Sequence, residues 1–185
     1  MTGPRPLHNL ALIGFMGVGK SSVGRQVAKV LGYEFVDTDE LIEQRAGCSI
    51  PEIFARQGEP AFRAMERDLV AEMGSWRATV IATGGGLGAN PEHLASLKAH
   101  ALVICLWATP ETIWKRVRHQ SHRPLLQGPD AETRLRTLLE SRTPTYRQAD
   151  VLVNTEHRES REVAEHVLHQ YQQARPRPGP PPSPA

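Results

Sequence analysis

Gly14-Phe15-Met16-Gly17-Val18-Gly19-Lys20-Ser21 fits the pattern G-x-x-x-x-G-K-[ST], and its flanks decide how it is read. The apolar run Leu10-Ala11-Leu12-Ile13 leads into it, and a helix-like stretch from Ser22 to Leu31 leads out. A strand passing through a glycine-rich turn into a helix is the context in which this pattern cradles phosphates. The glycines let the backbone turn its N–H groups inward. The helix that begins near Lys20 adds unpaired N–H groups and the positive end of its dipole. Lys20 can reach the β- and γ-phosphates, and the Ser21 hydroxyl can ligate Mg²⁺. The nucleotide contacts expected here are Gly17, Val18, Gly19, Lys20, Ser21 and Ser22.

Outward from that loop, strands and helices alternate. Strand one is expected at Asn9–Ile13 and helix one at Lys20–Leu31, closed by Gly32. Phe35-Val36 is a short second strand running into Asp37-Thr38-Asp39. Thr38 or Asp39 can cap a helix from Glu40 to Ala46, with Gly47 as its stop. Ser49-Ile50-Pro51-Glu52 reads as a capping box opening a helix that Gly58 breaks. Glu59-Pro60 starts another, with Phe62, Met65, Leu69 and Met73 at helical spacing. Ala78–Ala82 is the third strand, followed by Gly84-Gly85-Gly86, and a short helix covers Glu92–Ala99.

Ala101–Trp107 is uninterruptedly apolar, as a strand buried on both faces should be. Thr109-Pro110 opens a helix to about Arg118. A polar segment follows, read as a mobile lid at about 117–129 and containing Arg123-Pro124. Asp130 caps a long helix to about Gln148. Val151-Leu152-Val153 is the fifth strand, and Arg161–Gln172 the last helix. The pattern predicts an α/β fold in three layers, a five-stranded parallel sheet with helices on both faces. It predicts one domain over residues 1–173 and a Pro-rich disordered tail over 174–185.

The 185 residues are 39% hydrophobic and 23% charged with a net charge of +2, too small to argue for nucleic acid or an acidic membrane. Aromatic residues make up only 5%, with no stacking platform for single strands. Cys48 and Cys105 are far apart and form no disulfide framework. No signal peptide or membrane span is visible, so a cytoplasmic protein is expected.

Ligands of parallel sheets bind beyond the carboxyl ends of the strands. The loop at 14–21, Asp37-Thr38-Asp39 and Gly84-Gly85-Gly86 all fall there. The two aspartates can hold Mg²⁺, act as a base on a hydroxyl, or cap a helix. Strand three has no Asp at its end, where many phosphate-loop proteins keep a metal-facing carboxylate. Asp37 is the nearest replacement. Arg63 and Glu66 stand at i, i+3, either as a surface ion pair or as part of a site. The three glycines allow close backbone approach to a ligand or form an ordinary turn. Arg123 offers a charge in a loop, and Arg142 a guanidinium fork shaped for a carboxylate.

Taken together, Gly14–Ser21, Asp37-Thr38-Asp39, Phe62-Arg63-x-x-Glu66, Gly84-Gly85-Gly86, Arg123-Pro124-Leu125-Leu126 and Arg142-x-Pro-x-Tyr146 resemble the shikimate kinase family in order and spacing. The resemblance covers roughly residues 9–172. It implies a phosphate-loop kinase fold of the nucleoside-monophosphate-kinase type. It implies Mg²⁺-dependent phosphoryl transfer from ATP to the 3-hydroxyl of shikimate, by a monomer. Asp39 would bind the acceptor hydroxyl as base. Arg63 and Arg142 would clamp the carboxylate, with Glu66 positioning Arg63. The Gly85 backbone, flanked by Gly84 and Gly86, would bind a ring hydroxyl. Arg123 would touch the transferring group, and Asp37 would hold Mg²⁺ through water alongside Ser21. On the adenine side the resemblance implies Arg116, with Arg118 competing for the role, and Arg158. The alternatives are a related kinase of gluconate type and a non-catalytic nucleotide-binding module.

Overall fold

β1 (Asn9–Ile13) lies at the centre of the sheet, and all five of its residues are buried. This is the physical meaning of the unbroken apolar run Leu10–Ile13; Asn9 before it is buried but polar. The computed structural model describes Arg5, residues 7–119, Gly128 and residues 130–175. Among these residues the elements follow as α1 (Lys20–Leu31), β2 (Glu34–Asp37), α2 (Thr38–Ala46), α3 (Ile50–Met73), β3 (Thr79–Ala82), α4 (Pro91–His100), β4 (Ala101–Trp107), α5 (Pro110–Val117), α6 (Ala131–Tyr146), β5 (Val151–Asn154) and α7 (Ser160–Ala174). A 3₁₀ turn at Leu87–Ala89, not anticipated, follows the three glycines.

All strand pairs are parallel, in the order β2-β3-β1-β4-β5. The connection from β1 to β2 runs one way along the sheet, and every later connection runs the other way. Right-handed crossovers therefore put α1 on one face and α3, α4 and α6 on the opposite face. α7 packs against α1 and completes the first layer. The reversal at β1 and β3 opens a crevice at their carboxyl ends. Cys105 lies in the core, where burial pushes its thiol up to about 12.

Several boundaries differ from expectation for identifiable reasons. α2 starts at Thr38, and its cap is Asp37 rather than Thr38 or Asp39. Asp37 is extended (φ −97°, ψ 123°), and its carboxylate accepts the Asp39 N–H. Asp39 thus sits in the first turn of α2. Gly58 interrupts α3 as expected, with φ 79° and ψ 172°. The Ser49/Glu52 capping box is formed. Asp130 precedes α6, but its side chain makes no capping bond. α7 runs through Ala174, two residues beyond its expected end. The greater part of the expected lid, with Arg123, and residues 176–185 of the expected tail lie outside the described residues. No helix among the described residues is long and apolar enough to cross a membrane.

Candidate functional site

The phosphate loop leaves β1 at Gly14, whose φ is 133°. A Cβ there would stand 2.2 Å from the Leu106 carbonyl oxygen, so the loop departs flush against β4. Gly19 is left-handed (φ 95°) and forms the N-cap of α1. Lys20 folds back over the loop, donating from Nζ to the Phe15 carbonyl at 2.8 Å. Val18 is buried, while Ser22 is exposed on the next turn.

Ser21 Oγ donates to Asp37 Oδ2 at 2.6 Å, and Asp37 Oδ1 accepts the Asp39 N–H at 3.1 Å. One carboxylate therefore caps α2 and also reaches the hydroxyl expected to face the metal. This hydroxyl–carboxylate pair fits Mg²⁺, a hard cation that takes few protein oxygens and fills its shell with phosphate and water. The described residues contain no group of three His, Cys, Asp or Glu that could hold an ion alone.

The role of Gly84-Gly85-Gly86 is visible only in three dimensions. A Cβ on Gly84 would lie 2.1 Å from Asp39 Oδ1. On Gly85 it would lie 3.2 Å from an Arg142 Nη1, and on Gly86 2.7 Å from Arg63 Nη1. Each glycine clears space for a different side chain, so a carboxylate and two guanidiniums crowd one short loop. The loop is fixed from behind. Gly84 N–H donates to the buried Thr38 Oγ1 at 2.7 Å, and Thr83 donates to the Leu12 carbonyl through both N–H and Oγ1.

Arg63 and Glu66 are not a surface pair. Glu66 is 2% exposed and accepts from Arg63 Nη1 at 2.7 Å. Glu59 holds the other side of the guanidinium at 2.8 Å. Burial works against the Arg63 charge, but the bonds to Glu66 and Glu59 outweigh it and hold the group above its ordinary value. Arg142 lies over the Phe15 ring, its Cζ 5.7 Å from the centroid. Tyr146, one turn on, donates to the Gly85 carbonyl at 2.8 Å. Its own burial raises the phenol to about 12, keeping it a donor. Tyr146 was missed as a positioning group, although its i+4 spacing from Arg142 puts both on one helix face.

On the other side of the phosphate loop lies a cavity of about 380 Å³. Gly17, Val18, Gly19, Arg116, Thr155 and Arg158 are among the residues that line it. Arg118 is not; its Nε instead lies 3.1 Å from His119 Nε2. Arg116 donates to the Thr155 carbonyl at 2.7 Å, to Thr155 Oγ1 at 3.0 Å and to the Gly17 carbonyl at 3.3 Å. The loop after β5 was not singled out beyond Arg158. Applying the strand-end rule to the fifth strand would have found it.

The two halves meet at the phosphate loop. The Gly14 carbonyl faces Gly85, and Arg142 crosses Phe15. The arrangement can hold a polyphosphate in the middle, a flat group in the cavity, and a hydroxylated anion against the glycines.

A family model described as Shikimate kinase matches residues 16–172. Curated relatives include shikimate kinase from Thermus thermophilus, 46% identical over 166 residues, covering 89% of this chain and 90% of the relative. The Deinococcus radiodurans shikimate kinase is 44% identical over 164 residues, covering 89% and 83%. Among solved structures, shikimate kinase from Acinetobacter baumannii in complex with shikimate superposes with a TM-score of 0.85 at 38% identity, covering 90% of this chain and 94% of that one. A gluconokinase from Sinorhizobium meliloti has a TM-score of 0.59 at 18% identity, a likeness of fold alone.

Proposed function

The chain belongs to the shikimate kinase family, and we propose that its cleft transfers the γ-phosphoryl group of ATP to the 3-hydroxyl of shikimate. The products are shikimate 3-phosphate and ADP. The observation that carries the assignment of residues is the loop at 84–86, against which Asp39, Arg142 and Arg63 all pack.

In this reading Arg63 and Arg142 bind the shikimate carboxylate from two sides, Glu66 fixing the first and Phe15 supporting the second. Asp39 accepts the hydrogen bond of the acceptor hydroxyl, orients it in line and takes its proton as the new P–O bond forms. The Gly85 backbone meets a ring hydroxyl, with Gly84 and Gly86 keeping the approach open. Gly17, Val18, Gly19, Lys20, Ser21 and Ser22 hold the phosphates, and Arg116 and Arg158 flank the base. Ser21 and Asp37 would hold Mg²⁺, which when bound neutralises charge on the phosphates. Arg123 would add a cation at the transferring group. Phosphoryl transfer asks little covalent work of the protein, so positioning and charge carry the rate. A monomer and a cytoplasmic location complete the proposal.

A coupled ADP-release assay with shikimate, quinate and gluconate tests it. ADP formation should depend on shikimate and Mg²⁺ and be far weaker with the other two acids. Folded protein that binds ATP but releases no ADP with shikimate overturns the assignment.

A further inference from the structure

The loop after β5 is held both by a turn of its own and by its surroundings. His157 is left-handed (φ 54°), a conformation uncommon outside glycine that histidine tolerates better than most residues. Asn154 Oδ1 accepts the Glu156 N–H at 2.6 Å, and Thr155 N–H donates to the Trp107 carbonyl at 2.9 Å. The Glu156 carboxylate then reaches across to α5. Its Oε1 accepts the Thr109 N–H at 3.0 Å, the Thr112 hydroxyl at 2.8 Å and the Thr109 hydroxyl. Thr109 is the N-cap of α5, where a negative charge is favoured.

Arg116, in the last turn of the same helix, returns to Thr155 and touches Gly17. The strand-five loop is thus tied to α5 at both ends of the helix, and through Arg116 to the phosphate loop. Glu156 is not among the residues lining the cavity, whereas Thr155, Arg158 and Glu159 on either side of it are. Any effect of Glu156 on a ligand in that cavity must pass through its neighbours.

We propose that Glu156 is a positioning residue for the nucleotide, clamping the loop after β5 to the first turn of α5 and so setting where Arg116 and Arg158 stand. This rests on the reading of the cavity as the nucleotide's base end. The carboxylate is fitted to the task. Hydrogen bonds from Thr109 and Thr112 hold it at about 2, so it stays ionised through the neutral range. Without it, Arg116 retains Thr155 and Arg158 retains His166, whose Nδ1 lies 3.2 Å from its Nη1, but the turn between them loses its tie to the first turn of α5.

The test is ADP titration calorimetry on the full chain, with steady-state kinetics for ATP and shikimate. Glu156→Ala should weaken ADP binding and raise the ATP KM by about ten-fold, the loss expected for a charged hydrogen-bond cluster. It should leave the shikimate KM and kcat within about two-fold. Glu156→Gln keeps the accepting Oε1 and should recover most of the affinity. If Glu156→Ala does not fold, Thr112→Val removes one donor and should weaken ADP by about two- to three-fold. Glu156→Ala combined with Arg158→Ala should cost less than the product of the two. Unchanged ADP affinity in folded Glu156→Ala, an equal rise in the shikimate KM, or strictly multiplicative losses each overturn the proposal. If Arg116→Ala and Arg158→Ala also leave ADP binding unchanged, the reading of the cavity fails instead.

Discussion

Replacing Gly84 by alanine should disable the chemistry while leaving nucleotide binding alone. The new Cβ would stand 2.1 Å from Asp39 Oδ1, and ordinary contact begins at 3.4 Å, so one of the two must give by about 1.3 Å. Gly84 cannot retreat easily. Its N–H is bonded to Thr38 Oγ1, its carbonyl accepts from Gly88 N–H, and Thr83 before it is pinned to Leu12. No left-handed φ is involved, so the backbone accepts alanine without strain. The carboxylate of Asp39 must therefore swing away from its place. A misplacement of about 1 Å at a reacting group costs about a hundred-fold. A fall of that size in kcat is expected with ATP and shikimate both saturating, with ADP affinity and melting temperature near those of the parent. Gly86→Ala and Gly85→Ala meet the tips of long arginines, which can yield, and should act mainly on the shikimate KM. Folded Gly84→Ala with kcat within about three-fold of the parent would refute the reasoning.

Three further outcomes are expected. Arg63→Ala or Arg142→Ala should each raise the shikimate KM by about ten- to a hundred-fold, the range for a hydrogen bond to a charged group, with little change in the ATP KM; an unaltered shikimate dependence rules out the clamp. Asp37→Asn should raise the Mg²⁺ concentration for half-maximal activity several-fold while ADP binding without Mg²⁺ holds, and equal losses in both place the carboxylate elsewhere. Burial holds the imidazoles of His93 and His100 below their ordinary value of 6.5. Below that pH the unfolded chain binds protons that the native chain refuses, so stability falls as pH drops from 7 towards 5. Urea midpoints should show His93→Leu flattening that slope, and an unchanged slope removes His93 as a cause.

The frame of the fold was open to reading because its signals are local. Leu10–Ile13 and Ala101–Leu106 are apolar without break because both faces of each strand are covered there, whereas Trp107, expected to be buried with them, is exposed at the end of β4. Gly58 before Glu59-Pro60 marks the break in α3, where φ 79° suits glycine. The cap of α2 was misplaced because three successive residues, Asp37, Thr38 and Asp39, are all good caps. Only Asp37's extended backbone and its carboxylate's bond to the Asp39 N–H decide among them. The burial of Glu66 and the pairing of each glycine with its own side chain depend on α3, α6 and the β3 loop meeting. Sequence spacing does not encode such meetings. The bonds of Glu156 to Thr109 and Thr112 likewise span more than forty positions.

The double engagement of Asp37 has a consequence for how the enzyme's specificity can be retuned. One of its oxygens meets the hydroxyl on the donor side, and the other fixes the backbone of the residue assigned to the acceptor. On the proposed assignment, the gap between phosphoryl donor and receiving oxygen is gauged within two residues of chain. The arginines proposed to recognise the acid stand on separate helices, α3 and α6. A different hydroxy acid could be accommodated by recutting the arginine side while the stretch from 37 to 39 is left untouched. Changes to that stretch would instead disturb every acceptor alike.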